Sequence, residues 1–264
     1  NLAQAFWKCL GDEEDDDDDA GALAAVGCLR AISTIMESVS TLPHMYPQIE
    51  MMCMPIMVKM LSADEQDVYE EVLEMVSYLT YYSPSISMEM WQLFPILCQA
   101  LREWAIDYFE NILIPLDNYI SRGTQVFLQS KDPNYLAMTL EVLKLALHDE
   151  KIHESDAMPA PKLIGTVLQH CRGQVDEYLE QYIMLAVQRL HGDPSANVPA
   201  ADKETFKCLL VTVIANALFY NAAATVQILH KHGMLQPIFT QWFGLLYKTP
   251  KKAAVDAGAP AKRK

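Results

Sequence analysis

The chain has 264 residues, 51% hydrophobic and 20% charged, a balance that excludes a disordered protein. Its net charge of −14 conceals an asymmetry: residues 248–264 hold six bases and one acid, or +5, which leaves −19 for the rest. So acidic a body argues against binding nucleic acid through its own surface, where cationic side chains must displace counterions, and favours a basic partner.

In chain order, the sequence opens at Asn1 without a methionine and reads as if in mid-helix, so a piece of a longer protein is expected, its targeting segments unreadable. The stretch GDEEDDDDDAG (Gly11 to Gly21) follows, with eight consecutive acids: Asp12, Glu13, Glu14, Asp15, Asp16, Asp17, Asp18 and Asp19. One reading is a solubilising insert between helices. The other is an electrostatic trap that draws in Lys/Arg-rich segments over about 8 Å, the screening length at physiological salt. Such a trap needs no fixed geometry.

Beyond it, apolar residues recur every three or four positions. Leu23, Val26, Ile32, Ile35, Met36, Val39 and Leu42 form one stripe, and Pro43 ends it. Tyr46 to Met60, Val68 to Leu79, Trp91 to Leu101, Leu136 to Leu147, Leu179 to Leu190 and Phe206 to Ala217 repeat the pattern. Nothing alternates with period two for long enough to predict a strand. Arg122-Gly123, Arg172-Gly173, His191-Gly192 and His232-Gly233 read as helix ends, with a basic or titratable residue facing the carbonyl end and glycine in the left-handed conformation. Ser62-x-x-Glu65 reads as a capping box, and Asp132-Pro133 as an N-cap before an N1 proline. Pro55 and Pro95, 40 residues apart, fall inside two apolar helices. A helix pair every 40 or so residues is the HEAT/armadillo period. The prediction is an all-α protein: an α-solenoid of about six HEAT-like antiparallel hairpins over residues 1–247, with a basic tail over 248–264.

Chemistry-bearing motifs are missing. There is no GxSxG, HExxH or GxxxxGK[ST] pattern, and the six cysteines are scattered singly, as core residues of a reducing compartment would be. His230 and His232 cannot face the same way on a helix, and neighbouring His170 and Cys171 diverge. No catalytic residue, metal ligand or cofactor is expected. No apolar run reaches the roughly 18 residues of a membrane span. The methionine-rich stretches around Met51 and Met90 read as core packing before they read as an adaptable groove. The tail carries Lys248, Lys251, Lys252, Lys262, Arg263 and Lys264, close to a bipartite nuclear localisation pattern. It reads as a native disordered terminus, an appended extension, or a cargo-like peptide.

Several strings in order carry a resemblance. VYEEVLEMVSYLTYY (Val68 to Tyr82), MWQLFPIL (Met90 to Leu97), IDYFENILIPLDNYI (Ile106 to Ile120), LFYN (Leu218 to Asn221) and FTQWF (Phe239 to Phe243) resemble the C-terminal half of importin-β-family karyopherins of the importin-7/importin-8 type. The resemblance implies a HEAT-repeat nuclear import receptor that shuttles between cytoplasm and nucleus. It implies basic cargo such as histones and ribosomal proteins, passage through FG nucleoporins, and release by Ran-GTP, whose main surface lies in N-terminal repeats outside this region. By position, Asp12 to Asp19 take the role of the family's cargo-binding acidic loop. A generic scaffold for an amphipathic partner helix is the alternative. Neither reading calls for direct contact with nucleic acid or membrane.

Overall fold

The structure, a computed structural model, describes residues 2–11, 19–149, 151–192 and 199–248. Among them all regular structure is helical. The helices are α1 (Leu2–Gly11), α2 (Asp19–Ser38), α3 (Tyr46–Met60), α4 (Tyr69–Tyr82), α5 (Met88–Trp91), α6 (Leu93–Glu103) and α7 (Phe109–Arg122). They continue with α8 (Thr124–Gln129), α9 (Tyr135–His148), α10 (Glu154–Ala157), α11 (Pro159–His170), α12 (Asp176–His191), α13 (Ala200–Lys231) and α14 (Leu235–Lys248).

They pair as α1/α2, α3/α4, α6/α7, α9/α11 and α12/α13, and the pairs stack into two layers. In the second layer α2, α4, α7, α11 and α13 pack one on the next at every step. The first layer, α1, α3, α6, α9 and α12, is in sparser contact, so the second layer is the tighter side of the stack. One continuous apolar core runs between the layers, from Phe6 to Ile238. The solenoid expectation holds: the predicted stripes from Tyr46 onward are mostly buried, as in α4, where Val72, Met75, Val76 and Leu79 are inaccessible, whereas in the first stripe Ile32 and Met36 are buried and Leu23, Ile35 and Leu42 are exposed.

Trp91 anchors the third and fourth hairpins. Its ring lies 4.8 Å from Tyr119 and is stacked at 4.8 Å on Tyr135, and Phe94 meets Tyr135 edge-on at 4.9 Å. The Tyr119 hydroxyl donates to Met90 O at 2.5 Å, which satisfies a phenol with no access to water.

Several local expectations are corrected. Gly173 and Gly233 take positive φ, 73° and 68°, but Gly123 and Gly192 do not. Gly123 is needed for room: a Cβ there would lie 2.4 Å from Trp91 Cζ2 and 2.8 Å from Tyr119 O. Ser62 caps nothing with its side chain, because a 3₁₀ turn over Ala63–Val68 replaces the expected first turn. The fourth hairpin opens not at Asp132-Pro133 but at Asn134, whose side chain accepts from Ala137 N at 3.0 Å. Pro95 is not internal, since the chain breaks between α5 and α6 at Gln92 and leaves it in a first turn, where a missing N–H costs little. The internal prolines are Pro55 and Pro115. The Asp149–Pro161 connection contains α10 and the start of α11.

Contrary to the sequence expectation, one helix, α13, is long and apolar enough by composition to cross a membrane. It is broken at Asn221, whose backbone is extended (φ −155°, ψ 93°). Asn221 Oδ1 accepts from Ala224 N at 3.1 Å and Thr225 Oγ1 donates to Ala217 O at 2.8 Å, so each half of the helix is capped at the break. The half before Asn221 completes the fifth hairpin. The half after it begins a sixth with α14, in line with the predicted number.

Candidate functional site

The predicted acidic loop falls largely outside the described residues: Asp12, Glu13, Glu14, Asp15, Asp16, Asp17 and Asp18 are not among them, and Asp19 opens α2. Lys251, Lys252, Lys262, Arg263 and Lys264 also lie outside, and Lys248 is the last residue of α14. What the structure describes is the surface between these two segments.

Four second-layer helices turn a mainly polar stripe away from the core. Residues spaced i, i+4, i+7 line it: Arg30, Thr34 and Glu37 on α2; Glu70, Glu74 and Ser77 on α4; Glu110, Ile114 and Asp117 on α7; Lys162, Thr166 and Gln169 on α11. Neighbouring stripes are bonded to one another. Arg30 Nη2 donates to Glu71 Oε1 at 2.9 Å, and Asn118 Nδ2 to Ser77 O at 3.2 Å and Thr80 Oγ1 at 3.1 Å. Thr166 Oγ1 donates to Asp117 Oδ1 at 2.6 Å, Lys162 Nζ to Glu110 Oε1 at 2.6 Å, and Gln169 Nε2 to Asn216 Oδ1 at 3.2 Å. Arg122 reaches back to the carbonyls of Thr80 and Ser83, capping α4 from the next hairpin, and Arg172 donates to Phe219 O at 3.2 Å. These partners are 38 to 52 residues apart, one repeat period.

The charge on this surface is uneven. Residues 1–122 contain 21 acids and five bases, and residues 123–248 contain 12 acids and ten bases. The acidic end includes a groove of about 450 Å3 over α2, α4 and α7, lined by Glu70, Glu71, Glu74, Tyr78, Asn111 and Ile114 and by Arg30, which pairs with Glu71. Carboxylates, a phenol ring and an aliphatic side chain together suit a lysine, whose stem is apolar and whose tip is charged. Sequence reading did not gather these residues into one site, although the i, i+4, i+7 spacing of Glu70, Glu74 and Ser77 was there to be found.

The first layer has a different surface. Met36, Met57, Met60, Met75 and Met90 are core residues, but Met51, Met52, Val58 and Met88 are exposed. The expectation of core packing thus holds for only part of the methionine-rich stretches.

Among the described residues the buried cysteines and the histidines are not gathered into one site. Burial pushes the thiols of Cys53, Cys98 and Cys171 up to about 11, 12 and 12, so they stay protonated and unreactive at neutral pH. His232 Nε2 pairs with Glu180 Oε1 at 2.7 Å, where Lys231 also bonds, while His148 pairs with Gln188 at 2.6 Å. Hydrogen bonds from Lys231 and His232 hold the Glu180 carboxyl below its ordinary value. Among the described residues no group of three or more His, Cys, Asp or Glu side chains is placed to hold a metal.

Comparison with known proteins follows the same line. A protein of Arabidopsis thaliana described as an importin beta-like SAD2 homolog is 53% identical over 256 residues, 96% of this chain and 24% of the relative. The chain belongs to the importin-β family. A probable importin-7 homolog of Dictyostelium discoideum is 30% identical over 92% of this chain and 22% of its own, and mouse importin-8 is 27% identical over 92% and 24%. This importin-family chain therefore spans about a quarter of the length of the curated relatives it matches. No family profile and no solved structure matches it.

Proposed function

We propose that this importin-family chain is the cargo-binding portion of a nuclear import receptor that moves between cytoplasm and nucleus, and that it holds basic cargo of the histone or ribosomal-protein kind. The observation that supports the reading most is the concentration of carboxylates at one end of the stack: the Asp12–Asp19 run and the Glu70/Glu71/Glu74 groove belong to the first three hairpins. The loop captures a lysine-rich segment, and the groove seats lysine stems between Tyr78 and Ile114. Many weak, screened contacts add up, so affinity falls steeply with salt. FG nucleoporins and Ran-GTP are partners of the whole receptor in this reading, with the main Ran-GTP surface elsewhere in it. The reading requires no catalysis, no cofactor, no direct nucleic-acid contact and no membrane.

A titration of a lysine-rich peptide at rising salt tests it. Affinity should drop markedly between low and physiological salt, and replacing Asp15 to Asp19 by Asn and Ser should weaken it further. Unchanged affinity in that variant removes the loop from the mechanism.

A second reading rests on the exposed apolar strip of α3, where Met51, Pro55 and Val58 share one face at i, i+4, i+7. Such a strip suits an apolar partner segment, whether a nucleoporin phenylalanine or an amphipathic helix. Binding there would be nearly independent of salt and would weaken on Met51→Ser with Val58→Ser.

A further inference from the structure

A basic cleft lies away from the acidic groove, between the fourth and fifth hairpins. It encloses about 200 Å3, and its walls come from the ends of four helices: His148 on α9, Glu154 on α10, Arg189 on α12, and Lys203, Phe206 and Lys207 on α13. Three permanent cations face one carboxylate, in a chain whose net charge is −14.

The cations differ in how they are held. Arg189 Nη2 donates to Ile152 O at 2.8 Å and Nη1 to Asp149 O at 3.4 Å, and its guanidinium carbon lies 5.7 Å from the Phe206 ring centroid. The guanidinium is thereby fixed in place against the cleft wall. Lys203 and Lys207 are four residues apart, on one face of α13, and neither has a carboxylate partner among the described residues. His148 Nε2 donates to Gln188 Oε1 at 2.6 Å, so the imidazole is also oriented at the rim. Gathering cations in a cleft is unfavourable unless an anion joins them. The donors here, a fixed guanidinium and two ammoniums on flexible stems, suit an oxyanion with several acceptor oxygens.

We propose that this cleft binds a phosphate-class oxyanion, either free or borne by a phosphorylated side chain of a partner protein. Arg189 and the two lysines surround the phosphate oxygens, and the Phe206 ring backs the guanidinium. This is separate from the basic-cargo reading and uses none of its residues.

The test is calorimetric titration of the chain at constant ionic strength with sodium pyrophosphate, a phosphoserine peptide of otherwise neutral sequence, and the same peptide unphosphorylated. Pyrophosphate should bind saturably. Lys203→Gln with Lys207→Gln should lower its affinity by at least about ten-fold, since two charge-assisted contacts are lost. Lys162→Gln, outside the cleft, should change it little. Both lysines are partly exposed, so the double variant keeps its helical circular dichroism and can be compared directly. Binding of the phosphopeptide but not its unphosphorylated form assigns the phosphate to a partner. Binding of pyrophosphate alone assigns it to the free ion. Titration that fails to saturate, or an affinity unchanged in the double variant, overturns the proposal.

Discussion

Residues 1–122 and residues 123–248 are built alike and charged differently. Both form helix pairs with one apolar stripe per helix, and both bond their second-layer helices across one repeat. The first region has 21 acids to five bases, while the second has 12 to ten, and its α11 and α13 carry Thr166, Gln169, Thr212 and Asn216 where α4 and α7 carry acids. The apolar spacing that makes a hairpin leaves the outward positions free, so architecture and surface charge vary independently. Two binding characters can sit on one continuous stack: a carboxylate groove at one end and a cationic cleft towards the other.

The largest expected effect tests whether the two regions are one cooperative structure. Trp91→Ala removes the indole packed between Tyr119 and Tyr135, where the third hairpin meets the fourth, and should cost about 3–5 kcal/mol in denaturant unfolding. A single transition at lower denaturant marks one unit, and two transitions mark a separable pair. Gly123→Ala comes next: its methyl would meet the Trp91 ring and the Tyr119 carbonyl, a loss of about 1–3 kcal/mol by the same measurement. Asn118→Ala breaks two of the bonds that tie α7 to α4 and should cost about 1–2 kcal/mol.

Smaller effects separate the two surfaces. Glu70→Gln with Glu74→Gln should weaken binding of a lysine-rich peptide a few-fold and flatten its salt dependence, because exposed charge pairs are each worth roughly 0.2–1 kcal/mol. Asp176→Asn with Glu177→Gln, at the other end, should leave that affinity unchanged. The smallest effect is a pH dependence. Burial holds the Glu50 carboxyl above its ordinary 4.5, against the hydrogen bond from Ser87, and nearby Glu89 raises it further. The folded chain therefore binds this proton more tightly than the unfolded one, and stability falls as pH rises from the unfolded value through the folded one. Glu50→Gln should raise the melting temperature slightly at neutral pH and make no difference below about pH 4.

Most of the architecture was legible because helical burial has a period and these residues keep it: Val72, Met75, Val76 and Leu79 need no tertiary information to be placed inside. Helix ends were read less well, since they depend on what lies across the hairpin. Arg122 looked like a cap for its own helix and caps α4 instead; Gly123 looked like a left-handed turn and is a gap for Trp91. The break at Asn221 was hidden in a largely apolar run, and the bonds from Ala224 N to Asn221 Oδ1 and from Thr225 to Ala217 O show how the chain leaves the helix there. Of the candidate site, the Asp12–Asp19 run was conspicuous as a block of like charge. The groove was not, because Glu70, Glu74, Asn111 and Ile114 come together only when two hairpins stack.

The bonds spaced one repeat apart have a mechanical consequence. Among the described residues each helix pair is joined chiefly to the pair before it and the pair after it, so a pull on the two ends is shared among successive joints in series. A small opening at each joint adds to a large change in reach while every pair stays folded. The two ends of the stack can therefore shift apart further than any single joint opens.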